Sequence, residues 1–148
     1  MSEILFYHLE SQPLERALPL LLEKSLERGW RVVVETSSSE RAAALDSLLW
    51  TYRDDSFLPH GVIGDPADAD QPVLIALGPE NPNGAHVRFF VDRAVPSTGE
   101  GYERIVFMFS GHDPDAVTEA REAWKRLRDG NELTYWQQDG NGRWVKRG

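Results

Sequence analysis

The amino-acid sequence predicts an α/β protein with parallel strands joined by helices. Three observations carry that reading. Residues 4–9 form a short, continuous apolar run, the pattern of a buried central strand. Leu14, Ala17, Leu18, Leu21, Leu22 and Leu26 then recur at spacings that place them on one face of a helix. A third stretch, residues 30–35, is rich in β-branched residues and suits a second strand. With another helical segment behind it, this order implies a parallel pair of strands with a right-handed crossover.

Each element has local reasons. Ser11 is placed to cap the first helix, and Pro13 fits its first turn. Pro19 falls inside that helix and is expected to interrupt and kink it. The helix runs to about Arg28, and Gly29 ends it as a C-cap would. Residues 36–39 are a polar turn and cap, and residues 40–49 are the second helix. Residues 61–71 read as a loop, whose aspartates lack a glutamate at calcium-loop spacing. Strands follow at 73–77, 87–91 and 102–109, separated by turns at 78–84 and 96–101. The last of these strands is apolar enough to be central. Gly111-His112-Asp113-Pro114 reads as a cap with proline at the first helical position, and the last long helix covers 115–129 up to Gly130. The tail, 133–138 and 143–146, reads as a β-hairpin around Asp139-Gly140.

Composition bounds the function. A chain of 148 residues is expected to form one domain, spanning 1–148, with a substantial core. Its 41% hydrophobic and 27% charged residues are ordinary for a soluble protein. Without cysteine there are no disulfides and no thiolate metal sites, and His8, His60, His86 and His112 show no ligand spacing. No apolar run is long enough to span a membrane, and the N-terminus lacks a signal peptide, so the expected location is cytoplasmic. The formal net charge of -8 argues against nucleic acid as the main partner, because DNA binding usually rests on neutralising phosphates.

The usual chemistry of an α/β protein is missing. Phosphate binders carry glycines in the first strand-to-helix turn. Here that turn is His8-Leu9-Glu10-Ser11-Gln12-Pro13, with no glycine, no lysine and an acidic side chain. The dinucleotide fingerprint and the P-loop pattern are both absent. The second turn, Thr36-Ser37-Ser38-Ser39, reads as plain helix capping. Two readings besides a binding module remain in view: a small α/β enzyme using a carboxylate or histidine, and a degenerate nucleotide-binding protein. Against the enzyme, no titratable pair has motif spacing, and neither a nucleophile elbow nor a metal triad appears. His8 and His60 could line a cleft, but each reads as a satisfied structural histidine. No cofactor and no metal are expected.

Two surfaces suit protein binding instead. Residues 45–60 end a helix and then turn polar, with Trp50, Tyr52 and Phe57 in the break. Aromatics grouped on a connecting segment are a common composition for a binding site. On the last helix, Ala116, Ala120, Ala123 and Leu127 share the core face, while Arg121, Lys125 and Arg128 fall together on another, bordered by Val117 and Trp124. Cations beside an apolar wall suit an acidic peptide that ends in apolar residues. The plainer alternative is a solvated face with Glu122 and Asp129 as intrahelical partners.

The aromatic break, Leu49-Trp50 with Ser56-Phe57-Leu58-Pro59-His60, the helix Ala120-Arg121-Glu122-Ala123-Trp124-Lys125 and the order of elements together resemble the chi subunit of bacterial DNA polymerase III. The ending, Thr134-Tyr135-Trp136-Gln137-Gln138 with Gly142-Arg143-Trp144-Val145-Lys146, is similar to chi proteins of the alphaproteobacterial branch. The resemblance implies a three-layer α/β/α, Rossmann-like domain that has lost its phosphate loop. It implies a non-catalytic accessory subunit of the clamp-loader complex that receives the acidic C-terminal tail of single-stranded-DNA-binding protein (SSB) and contacts psi, or an equivalent clamp-loader or helicase partner. Carried over, the tail site is Val117, Arg121, Trp124, Lys125 and Arg128, and the second partner site is Trp50, Phe57, Leu58, Pro59 and His60.

Overall fold

The computed structural model describes residues 3–52, 58–64, 67–94 and 102–147. Along the chain run β1 (Glu3–Leu9), α1 (Leu14–Glu27), β2 (Val32–Glu35), α2 (Ser39–Thr51), β3 (Gly61–Val62), β4 (Val73–Ala76), β5 (Val87–Phe90), β6 (Arg104–Ser110), α3 (Pro114–Leu127), β7 (Glu132–Gln138) and β8 (Trp144–Lys146). The strands form one sheet in the order β3-β4-β2-β5-β6-β1-β7-β8. Every neighbouring pair is parallel except the β7–β8 hairpin.

Side chains alternate across the sheet and divide the core in two. On one face α1 and α2 cover Val32, Val34, Val73, Ile75, Phe89, Val106 and Met108. On the other, α3 covers Ile4, Phe6, Ile105, Phe107 and Phe109. The result is the expected three-layer α/β/α arrangement. On the α3 face, the half of the sheet around β2 and β4 has a different cover. There Val33, Leu74 and Ala76 pack under Ala85, with Ile63 and Tyr102 alongside. Arg88, only 2% exposed, ties this cover down through Glu35 (2.6 Å), the Glu80 carbonyl (2.9 Å) and the Tyr102 hydroxyl (3.0 Å).

Several local expectations hold. The C-terminal end of α1 is a Schellman turn: Gly29, at φ +80°, donates to Leu26 and Trp30 donates to Ser25. Ser38 caps α2 by accepting from the Arg41 amide, and Asp113 caps α3, with Pro114 first in the helix. The tail is the predicted hairpin, with Gln138 opposite Trp144.

Other expectations need correction. The structure assigns the cap of α1 to Pro13, with no side-chain cap bond, and the Ser11 hydroxyl instead donates to the Asp139 carbonyl (2.8 Å). α1 runs on through Pro19, a buried residue. β1 and β2 are parallel members of one sheet but not neighbours, because β5 and β6 lie between them. α2 continues to Thr51, so Trp50 sits in its last turn. The stretch read as a loop at 61–71 contains β3, a short edge strand on β4, and a 3-10 turn at Asp68–Asp70. The turn expected at 96–101 and residue Phe57 lie outside the described residues.

The hairpin is fastened to the β1–α1 turn. Gln138, 3% exposed, accepts from the backbone amides of Glu10 (3.0 Å) and Gln12 (3.1 Å) with one oxygen, and its nitrogen donates to Gln12 Oε1 (3.2 Å). Trp144 packs edge-on against Tyr7, ring centroids 4.7 Å apart. Replacing Gln138 by leucine removes the acceptor from two amides held near the protein interior. Gln138→Leu is expected to lower unfolding free energy by about 1–3 kcal/mol, read from the urea midpoint.

Candidate functional site

α3 is built to lie close to the sheet. Its buried face is three alanines and a leucine, Ala116, Ala120, Ala123 and Leu127, so the helix axis approaches the aromatic floor of β1 and β6. The helix has two flanks. Glu119 on one flank reaches Arg93, which follows β5. Trp124 on the other flank stands edge-on to Phe6 of β1 (5.2 Å) and to Tyr135 of β7 (6.0 Å). Val117 and Trp124 are half-buried, and Arg121, Lys125 and Arg128 are exposed. Trp124 and Val117 therefore border the flank that overlooks β7, with Arg128 and Arg121 beside them and Lys125 toward the outer face of the helix. None of the three cations makes an ion pair with a described residue, and Glu122 and Asp129 stand on the same helix at intrahelical spacing from Lys125. Burial pushes the Tyr135 hydroxyl above its ordinary range, and the charge of Arg121 opposes that shift.

Sequence reasoning missed Tyr135 and Leu133, which pack against the same cluster as Trp124. Both sit in β7, whose pairing with β1 carries no local signal.

Beneath Tyr135 lies a polar chain. The Tyr135 hydroxyl is 2.6 Å from His8 Nδ1, and His8 Nε2 is 2.7 Å from Glu10 Oε1. Gln137 Nε2 donates to the same carboxylate oxygen (3.1 Å). A side chain at Gly111 would place a Cβ 2.0 Å from His8 Nε2, so the glycine is what admits the ring. His8 is thus hydrogen-bonded at Nδ1, while Nε2 faces the Glu10 carboxylate without completing a hydrogen bond.

Beside this chain a cavity of about 500 Å³ opens at the C-terminal ends of β1 and β6, lined by Leu9, Pro13, Phe109 and Ala116 and rimmed by Glu10, Glu15, Asp92, Asp113 and Glu119. α1 leaves β1 on one face and α3 leaves β6 on the other. This is the switch point where open α/β sheets hold their ligands. Here the turn amides that would meet a phosphate, Glu10 and Gln12, are already bonded to Gln138. The two arginines nearby are also engaged: Arg41 with Glu15 and Asp92, and Arg93 with Asp113 and Glu119. Among the described residues no cluster of acids and histidines could hold a metal ion, and no helix is long and apolar enough to cross a membrane.

The second candidate surface divides into a contact layer and its support. Trp50 is 52% exposed at the end of α2. Its ring lies 4.4 Å from that of His60. Pro59 is half-buried. His60 and Leu58, by contrast, are buried at 6% and 2% exposure, which corrects their placement as parts of a contact face. Leu58 belongs to the core under α1 and α2. His60 Nδ1 is 2.7 Å from the Leu58 carbonyl, and Nε2 is 3.0 Å from the Asp46 carboxylate, so the ring clamps this segment to α2. The reason is spacing: Pro59 keeps Leu58 extended, and an extended chain turns alternate residues inward.

Residues 1–134 match the family model described as DNA polymerase III chi subunit, HolC. The chain is 33% identical over 87 residues to the probable DNA polymerase III subunit chi of Rickettsia prowazekii, an alignment covering 59% of this chain and 53% of that protein. It is 28% identical over 102 residues to the DNA polymerase III subunit chi of Pseudomonas aeruginosa, covering 67% and 69%. The counterpart from Haemophilus influenzae is 27% identical over 101 residues, covering 68% and 69%. The chain spans about half the length of the Rickettsia relative.

Burial separates the two layers of the Trp50 surface by experiment. Leu58→Ala is expected to cost about 2–5 kcal/mol of stability, whereas Trp50→Ala is expected to cost less than about 1 kcal/mol, as exposed positions do. Urea unfolding of both variants checks the pair. ATP with magnesium, at concentrations that saturate ordinary nucleotide sites, is expected to leave the melting temperature unchanged. A saturable rise would show that the folded state binds it.

Proposed function

The chain belongs to the DNA polymerase III chi subunit family, and from that premise we propose that it is a non-catalytic accessory subunit linking SSB to the clamp-loader complex in DNA replication. In this reading the acidic C-terminal tail of SSB docks on the β7-facing flank of α3. Its carboxylates meet Arg121, Lys125 and Arg128, and its apolar end lies against Trp124 and Val117. Psi, or an equivalent clamp-loader or helicase partner, docks on the Trp50 end of α2, where His60 and Leu58 hold the contact layer from beneath. Phe57 is proposed to belong to the same surface.

The observation that carries the tail site is the set of three exposed cations without ion-pair partners among the described residues, beside a half-buried tryptophan. In a chain whose net charge is -8, such a local excess of positive charge is a specific feature. It steers an acidic segment and strengthens as the apolar end excludes water.

A small α/β enzyme is the second reading, and the observation favouring it is the Tyr135–His8–Glu10 chain next to the switch-point cavity. Against it, the Tyr135 hydroxyl is bonded to His8 and the Glu10 carboxylate takes Gln137, so each already has a partner within the protein.

Charge reversal at Arg128 separates a docking site from a solvated helix face. Arg128→Glu is expected to weaken binding of an acidic peptide ending in Pro-Phe by about 1–3 kcal/mol, the range of charge-assisted hydrogen bonds. Added salt is expected to weaken the wild-type complex as well. Calorimetry giving the same affinity for wild type and variant would return this flank of α3 to the solvent.

A further inference from the structure

The C-terminal hairpin supplies the second wall of the α3 site. Its two faces are identified by contacts. Trp144 lies against Tyr7 on the α1 side of the sheet, and Trp136 borders the same space. Side chains alternate along a strand, so Tyr135 and Gln137 point to the α3 side, as the contacts of Tyr135 with Trp124 and Phe6 require. The register pairs Gln137 with Val145. The ladder continues at both ends: Arg147 donates to the Tyr135 carbonyl (2.7 Å), and Asp139 donates to the Arg143 carbonyl (2.8 Å). Arg143, Val145 and Arg147 therefore share the α3 side of the sheet.

Among the described elements, α3 is the sole helix on that side, and its flank bearing Arg121 and Trp124 faces the hairpin. The space between them is a trough. Tyr135, in contact with Trp124, lies at its base, and the register sets Val145 on the next strand, with Arg143 and Arg147 flanking β8 and Arg121 one turn before Trp124 on the helix. The hairpin that forms it is firmly seated, since Gln138 and Ser11 bind it to the β1–α1 turn. The acids near the trough are Glu10, which accepts from Gln137, Asp139, which accepts from the amides of Asn141 and Arg143, and the exposed Glu122 and Asp129 on the outer side of α3 and its end.

We propose that the acidic peptide lies in this trough, held between two rows of cations, and does not rest on the helix alone. The proposal rests on the reading of α3 as the tail site, and it adds the hairpin as a determinant of that site. The apolar end sits on the Trp124–Tyr135 floor. Carboxylates ahead of it run along the sheet and meet Arg143 and Arg147. The family match stops at residue 134, so this second wall is a property of residues beyond the matched region. The partner chemistry it selects is a longer acidic stretch than one row of cations would engage.

The test uses the full chain and a labelled synthetic peptide of several aspartates ending in Pro-Phe, titrated by fluorescence anisotropy. Wild type is expected to bind, and Arg121→Glu is expected to weaken binding. The double reversal Arg143→Glu/Arg147→Glu is expected to weaken it about tenfold, the size of two exposed charge pairs, with an unchanged melting temperature. The control is the double reversal Arg16→Glu/Lys24→Glu on α1, which is expected to have a much smaller effect. If Arg121→Glu weakens binding while the hairpin reversal matches wild type, the trough is wrong and the α3 site stands. Equal losses in the hairpin and control variants also overturn the trough, because net charge alone then explains them. No binding by wild type overturns both.

Discussion

The position of β1 between two parallel neighbours governs this molecule. β1 pairs along its length with β6 on one side and with β7 on the other. Parallel neighbours cannot be joined by a tight turn. The chain leaving β6 must therefore cross over β1 before it can enter β7, and α3 is that crossing. Its alanine face lets it sit low over β1, and its two flanks then look in opposite directions, one toward β5 and the other toward β7. The cations at Arg121, Lys125 and Arg128 owe their position above the sheet to this crossover, as does the meeting of Trp124 with Tyr135.

The same pairing engages the turn amides at the switch point of the sheet. With β7 beside β1, the end of β7 falls next to the β1–α1 turn. Gln138 then reaches the two amides that would otherwise face a ligand. The hydrogen bonds that bind nucleotides in related architectures here fasten a hairpin. What remains at the switch point is an apolar cavity with an acidic rim whose neighbouring arginines are paired.

The Trp50 end of α2 shows how such a surface is kept rigid. An exposed tryptophan is a useful anchor only if its backbone does not yield when a partner engages it. His60 fixes that end by spanning from the Leu58 carbonyl to Asp46 of α2, and Leu58 is embedded in the core. On the opposite face of the sheet Arg88 plays a similar part for the segment around Gly78 and Glu80, with its charge matched by Glu35. In both places a buried polar group is fully partnered, the condition under which burial specifies structure without a large desolvation penalty.

The sequence by itself determined the α/β class, all three helices, the hairpin at Asp139-Gly140 and the grouping of cations on one flank of the last helix. These follow from short-range rules: helical and strand periodicity, capping at Ser38 and Asp113, and a glycine at positive φ after α1. It also determined that the first turn lacks phosphate-binding chemistry, because that is a matter of residue type. Tertiary structure decided the rest. Strand order placed β5 and β6 between β1 and β2, and set β7 against β1. It chose Tyr135 as the partner of Trp124, and it divided the segment around Trp50 into an exposed ring and a buried Leu58 and His60. The physical reason is one of range. Periodicity tells which face of an element is apolar, but only pairing between strands distant in sequence decides what lies opposite that face. Both candidate surfaces depend on such pairings.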